Sequence, residues 1–173
     1  MQEFSLKHGT IYNWVLKSHI ADNLLEAVKN THFTIKAGNR LSAQFGCDYT
    51  YSGRTVEGQE IPEWLNSIMQ EINTLTDSNF NSCLVNKYPA NVRTGIGFHK
   101  DDEPELKTLR VASISLGQTD AFILQGTDTL ALELEHGDVL LMDETIQSNY
   151  SHGIEYRIKP KDRYSLTFRQ FKD

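Results

Sequence analysis

The chain has 173 residues, 39% hydrophobic and 23% charged, the composition of an ordinary soluble domain large enough for a full core. No apolar run is long enough to span a bilayer, and the opening MQEFSLKHGTIYNW lacks the basic-then-apolar layout of a signal peptide, so a cytoplasmic, monomeric protein is expected. With 17 Lys and Arg against 23 Asp and Glu the formal net charge is −6, which argues against tight, sequence-blind coating of nucleic acid and leaves room for transient contact through a local basic patch.

In chain order, Ser18 is placed to cap a helix in which Ile20, Leu24, Leu25 and Val28 recur at helical spacing. Cys47 and Cys83 stand far apart with no CxxC pair, so free thiols in a reducing compartment are expected, not a disulfide framework or zinc ribbon. Pro62 suits the first turn of a second helix whose stripe is Leu65, Ile68, Met69, Ile72 and Leu75. From Ser82 onward short strands follow one another. RVASISLG alternates with Ala112, Ile114 and Leu116 on one face; TLALELEHGD sets Leu130, Leu132 and Leu134 against Ala131, Glu133 and Glu135; VLLMD resumes as a buried strand after the HGD turn. The pattern predicts an α+β, mainly β fold: a β-sandwich or jelly roll with the N-terminal helices packed outside.

The last strand, RYSLTFR, puts Tyr164, Leu166 and Phe168 on one face and Arg163, Ser165, Thr167 and Arg169 on the other. Two placements fit: an edge strand with its polar face in water, or a strand whose polar face lines a cavity where two arginines meet a small dianion. At ~3.3 Å per residue the two arginine backbones are roughly 20 Å apart, so both long side chains must lean inward to meet one small dianion. Their planar forks hold carboxylates more exactly than lysines would.

The stretch GFHKDDEPE is either a solvated acidic turn or part of a metal site. Two histidines and one carboxylate on one face of an iron ion leave positions open for oxygen and a co-substrate. His99 and Asp101 alternate with Lys100 and so share a side of a strand. The second histidine is His152 in QSNYSHGIEYRI or, as the rival, His136, whose place in the EHGD turn reads better as local structure. His8, His19 and His32 belong to the helical N-terminal region and read as surface positions.

NKYPANVRTGIGFHKDDEP, VASISLG, LEHGDVLLM, SHGI and RYSLTFR, taken in that order, resemble the AlkB family of Fe(II)- and 2-oxoglutarate-dependent nucleic-acid demethylases from Asn86 to Arg169. The resemblance implies a double-stranded β-helix, that is, a jelly roll. It also implies iron ligands at His99, Asp101 and His152, and 2-oxoglutarate contacts at Asn86, Tyr88, Arg163, Ser165 and Arg169. Fe(II), 2-oxoglutarate and O2 are then the reactants, ascorbate the reductant in vitro, and formaldehyde, succinate and CO2 the products. The family pattern at the last strand is Arg-x-Asn-x-Thr-x-Arg, so Ser165 replaces an amide with a hydroxyl. Ser165 and Gln147 resemble the AlkB domains of plant RNA-virus replicases, which implies a domain excised from a polyprotein.

FGCDYTYSGR resembles the family's lid over the target base, with Tyr51 stacking on it, and Asp102 and Glu103 at the base edge. Tyr49 divides evenly between a neighbour of the nucleic-acid backbone and a residue packed on the sheet. Residues 1–81 are then helices and lid, and 82–173 the catalytic core of a single domain. Arg40, Arg54, Lys159 and Lys161 offer a modest phosphate-facing patch, although solvated surface charge accounts for each singly. The expected partner is methylated single-stranded RNA or DNA, RNA favoured, with bases such as 1-methyladenine and 3-methylcytosine. The alternatives are a dioxygenase of the same fold acting on a protein or small molecule, and a noncatalytic RNA-binding module.

Overall fold

Alternating apolar and polar residues build most of this chain into strands, which a computed structural model describes for residues 1–51 and 53–173, with only the backbone described at Tyr51 and Arg54. The N-terminal strands are β1 (Gln2–Leu6), β2 (Gly9–Val15), β3 (Ile35–Ala37), β4 (Arg40–Phe45), β5 (Tyr49–Tyr51) and β6 (Arg54–Val56). Helices α1 (Ser18–Val28) and α2 (Glu63–Thr76) interrupt them. The remainder comprises β7 (Ser82–Tyr88), β8 (Arg93–His99), β9 (Val111–Gly117), β10 (Asp120–Gln125), β11 (Thr129–Leu134), β12 (Asp138–Met142), the short helix α3 (Glu144–Asn149), β13 (Ser151–Ile158) and β14 (Arg163–Arg169).

The strands form an eight-stranded sheet of order β1-β2-β12-β9-β14-β7-β4-β3 and a four-stranded sheet of order β11-β10-β13-β8, with β5 and β6 as a separate hairpin. This is the expected jelly roll. Period-two alternation divides the large sheet into two faces with different partners. Cys83 and Val85 of β7, Ala112, Ile114 and Leu116 of β9, and Tyr164, Leu166 and Phe168 of β14 cluster with Ala21, Leu24 and Val28 of α1 and Leu65, Ile68, Met69 and Ile72 of α2. On the opposite face, Val111, Leu140 and Met142 join Phe122, Leu124, Leu134 and Ile154 of the small sheet in a second apolar cluster. The serines, arginines and carboxylates described below are also buried.

Several expectations are corrected. The residue at the α1 cap is Lys17, with no side-chain cap, and Ser18 is already helical. Pro62 caps α2 in extended conformation, and Leu75 is more than half exposed, outside the stripe. The N-terminal third contributes strands as well as helices: β2 pairs with β12, and β4 with β7. RYSLTFR is no edge strand. It lies between β9 and β7, hydrogen-bonded on both sides.

The two histidine-bearing strands, β8 and β13, pair with His99 opposite His152 and with irregularities beyond that point. Gly95 permits their close approach: a Cβ there would lie 2.7 Å from the Ile154 carbonyl oxygen and 2.8 Å from Tyr156 Cα. Backbone atoms cannot rotate away as a side chain can. Gly95→Ala is therefore expected to destabilise the fold by ~1–3 kcal/mol, an overpacking cost. Metal affinity should fall with it, because the same pairing aligns the histidines; melting curves and Mn(II) titration of the variant would check this.

Candidate metal centre and co-substrate cleft

His99 closes β8, Asp101 follows two residues later, and His152 sits opposite His99 on β13. Their ligand atoms all lie within 4.8 Å of one another. His152 Nε2 is 3.3 Å from Asp101 Oδ2, and His99 Nε2 is 3.8 Å from Asp101 Oδ1. His99 Nδ1 lies 2.8 Å from the Gly97 carbonyl oxygen, so that nitrogen donates its proton there and Nε2 keeps its lone pair for a metal. Phe122 stacks on the His152 ring, with centroids 5.4 Å apart.

Burial alone would raise the Asp101 carboxyl, but the Arg169 guanidinium and the two histidines outweigh it and hold the group well below the usual carboxylate range. Arg169 Nη2 donates to Asp101 Oδ1 at 2.6 Å. His99 is lowered, first by burial and then by the neighbouring His152. Two imidazoles and one ionised carboxylate make a donor set that fits Fe(II).

A residue not assigned a role from the sequence holds this arrangement. Gln147, fully buried on α3, accepts the Asp101 backbone N–H at 3.1 Å. Asp143 caps that helix, its side chain accepting from Ile146 N at 2.8 Å. No periodicity signals the contact, because it joins a loop to a helix 46 residues apart.

The inward face of β14 carries the residues that would line a co-substrate cleft. Arg163 is opposite Tyr88 on one side and Gly117 on the other, and Ser165 lies between Asn86 and Ser115. Arg163 is 2% exposed and donates one Nη to Ser115 Oγ at 2.9 Å. Its Nε and other Nη have no hydrogen-bond partner among the described residues, nor does Arg169 Nε. Its guanidinium also faces the Tyr88 ring at 5.1 Å. Asn86 accepts from Ser42 Oγ at 2.6 Å, which leaves its amide N–H2 to turn elsewhere. Open cationic donors at each end of one buried strand face fit a short dicarboxylate such as 2-oxoglutarate.

The residues assigned to the substrate side are distributed differently. Tyr49 is buried: it packs edge-on to Phe171, faces the Arg169 guanidinium at 5.7 Å, and donates its hydroxyl to Glu103 Oε1 at 2.6 Å. Burial, together with Glu103, pushes its phenol up. Glu103 Oε2 is buried without a hydrogen-bond partner among the described residues, whereas Asp102 is exposed. The Tyr51 and Arg54 side chains lie outside the described residues. Lys159 is not on a phosphate-facing patch: it is 4% exposed and ion-paired to fully buried Asp120. Arg40 donates inward to the Gly95 carbonyl at 3.4 Å, and Lys161 is exposed.

His136 accepts the Gly117 backbone N–H at 3.1 Å through Nδ1 and meets Asp22 through Nε2, also at 3.1 Å. It belongs to the β11–β12 turn. His136→Ala is therefore expected to leave Mn(II) affinity within the error of an isothermal titration, whereas His152→Ala should lose binding outright. The reverse pattern would move the second imidazole to the turn.

Comparison with known proteins agrees with this geometry. Bovine (Bos taurus) DNA oxidative demethylase ALKBH2 is 30% identical over 138 residues, covering 72% of this chain and 49% of that protein. The human (Homo sapiens) protein of the same name is also 30% identical over 138 residues, with 72% and 52% covered. The chain thus spans about half the length of these curated relatives. The solved structure of OsALKBH1 superposes with a TM-score of 0.67 at 20% identity, covering 96% of this chain and 100% of that one, a likeness of fold. Residues 10–169 match the family model of the 2OG-Fe(II) oxygenase superfamily, and with the His99–Asp101–His152 cluster and the inward arginines of β14 already in place, the chain belongs to that superfamily, whose members use Fe(II), 2-oxoglutarate and O2.

Proposed function

We propose that this chain oxidatively demethylates alkylated bases, such as 1-methyladenine and 3-methylcytosine, in single-stranded nucleic acid, with RNA preferred. When bound, Fe(II) and 2-oxoglutarate supply the oxidation: the co-substrate leaves as succinate and CO2, and the methyl group as formaldehyde. The chain's own residues bind, orient and shield. His99, Asp101 and His152 hold the metal; Arg169 keeps Asp101 ionised; Arg163, with Tyr88, Asn86 and Ser165, takes the remote carboxylate of 2-oxoglutarate.

The observation that carries the substrate class is Glu103. Tyr49 fixes one of its oxygens and leaves the other buried, with no hydrogen-bond partner among the described residues, two residues along the chain from the metal carboxylate. An acceptor so placed suits the exocyclic amine or positive charge of a methylated base. A base alkylated on its pairing edge is also cheaper to extract than an intact one. Tyr49 then acts through Glu103 as a positioning residue, and Asp102 stands at the entrance. The lean to RNA rests on Ser165 and Gln147, which resemble the replicase domains; the curated relatives are named for DNA.

The test is mass spectrometry of methylated RNA and DNA oligonucleotides incubated with Fe(II), ascorbate and 2-oxoglutarate, beside methylated peptides. Loss of the methyl group from single-stranded oligonucleotides is expected, faster on RNA. Oxidation of the peptides alone would establish the protein-directed alternative, and no turnover in any arm the noncatalytic one. On the lid, Tyr51→Ala is expected to weaken demethylation by one lost base stack, ~1–3 kcal/mol or roughly five- to 150-fold, with Tyr51→Phe close to wild type. Uncoupled conversion of 2-oxoglutarate should fall much less; an equal fall in both rates would return Tyr51 to a structural role.

A further inference from the structure

The ion pair between Lys159 and Asp120 has no part in the roles assigned so far, and both side chains are almost wholly buried. Asp120 begins β10, and Lys159 follows β13, one residue after its end. Arg157 also donates to Asp120 Oδ1, at 2.8 Å, but from a side chain 43% exposed to solvent. A plain structural staple between β10 and β13 would account for that much.

Further facts point elsewhere. Lys159 Nζ lies 5.6 Å from the centroid of the Tyr88 ring, the same ring that the Arg163 guanidinium faces at 5.1 Å. Both cations therefore gather around one buried tyrosine at the end of the cleft remote from Arg169. An ammonium has three donors; Asp120 takes part of that capacity, and no hydrogen-bond acceptor meets the rest among the described residues. The buried charges at this end, Arg163 and Lys159 against Asp120, leave one positive charge in excess, which a single carboxylate would balance. Ser165, opposite Asn86 and Ser115 on the same face, brings only a short hydroxyl where the resembling family brings an amide.

We infer that Lys159, steered by Asp120, is a second cation for the remote carboxylate of the co-substrate and makes the cleft selective for diacids over monoacids. The inference rests on the assignment of Arg163 to that carboxylate. In this arrangement Asp120 orients the ammonium and tempers its charge, so the two partners of one ion pair have opposite effects on binding. A staple predicts like effects.

The test is calorimetric binding of 2-oxoglutarate and of 2-oxobutyrate, which lacks the remote carboxylate, to the Mn(II)-loaded full chain. Lys159→Met should weaken 2-oxoglutarate roughly 10- to 100-fold, the scale of a charged hydrogen bond, and leave 2-oxobutyrate unchanged. Asp120→Asn should bind 2-oxoglutarate as tightly as wild type or more tightly. Equal loss of both ligands in Lys159→Met, or matched weakening of 2-oxoglutarate in the two variants, overturns the inference in favour of the staple. If Lys159→Met does not fold, the Lys159→Met/Asp120→Asn double variant leaves no unpaired buried charge from this pair. A several-fold loss of diacid preference supports the inference there, and full preference overturns it. Arg163→Ala is the control: loss there with a silent Lys159→Met overturns the inference alone, while loss in neither overturns the placement of the carboxylate as well.

Discussion

Asp101→Ala is expected to abolish metal binding and turnover and to destabilise the metal-free protein, whereas His99→Ala should abolish the first two and spare the third. The difference follows from what each removal leaves behind. Asp101 is buried and paired with Arg169 at 2.6 Å, and the arginine is itself buried. Without the carboxylate a guanidinium stays inside without its counter-ion, a loss of ~3–5 kcal/mol for a broken buried pair. The His99 side chain is 34% exposed, and its removal strands no buried charge, so a change within ~1 kcal/mol is expected. Mn(II) titration and thermal denaturation of the two apo-variants separate the effects; a metal-competent Asp101→Ala would remove the carboxylate from the ligand set.

The same pair has a defined pH dependence in the wild-type apo-protein. Asp101 is lowered from its ordinary 3.8, so the folded state binds the proton less readily than the unfolded chain. Its contribution to stability is therefore present above pH 3.8 and is lost as pH falls from there toward the depressed folded value. Asp101→Ala should flatten that part of an acid-denaturation profile.

The second large effect is expected at Arg163. Arg163→Ala removes two open donors and one buried charge from the Tyr88 end of the cleft. Charged hydrogen bonds contribute ~1.5–3 kcal/mol each, so the 2-oxoglutarate requirement should rise at least roughly tenfold and by more than 100-fold if both bonds are made. Arg163→Lys keeps the charge but not the planar fork and should fall between the two. Metal affinity measured without co-substrate should not change, since Arg163 lies six residues along β14 from the arginine that touches Asp101. An unaltered 2-oxoglutarate titration curve for Arg163→Ala would remove that side chain from the binding surface.

Local pattern carried much of this protein. Strand alternation in RVASISLG and RYSLTFR identifies the faces that pack on α1 and α2, because burial of one sheet face imposes period two on the residues themselves. Helical spacing from Leu65 to Ile72 does the same for α2. The spacing of His99 and Asp101 puts both side chains on one side of an extended chain. The jelly-roll class and the oxygenase resemblance followed from the order of short motifs between Asn86 and Arg169.

What the sequence left open depends on partners distant along the chain. Two placements of β14 fit its alternation equally; only its pairing with both β9 and β7 shows that the polar face is turned inward, since an edge strand has the same alternation as a central one. The β8–β13 pairing brings His152, and not His136, beside His99 across the small sheet. Lys159 read as surface charge, because composition carries no information about a counter-ion 39 residues away in Asp120. Gln147 and Ser115 acquire their roles only when α3 and β9 are brought against Asp101 and Arg163. Periodicity reports which side of an element is buried; which buried groups meet is set by strand order and register, and those are long-range.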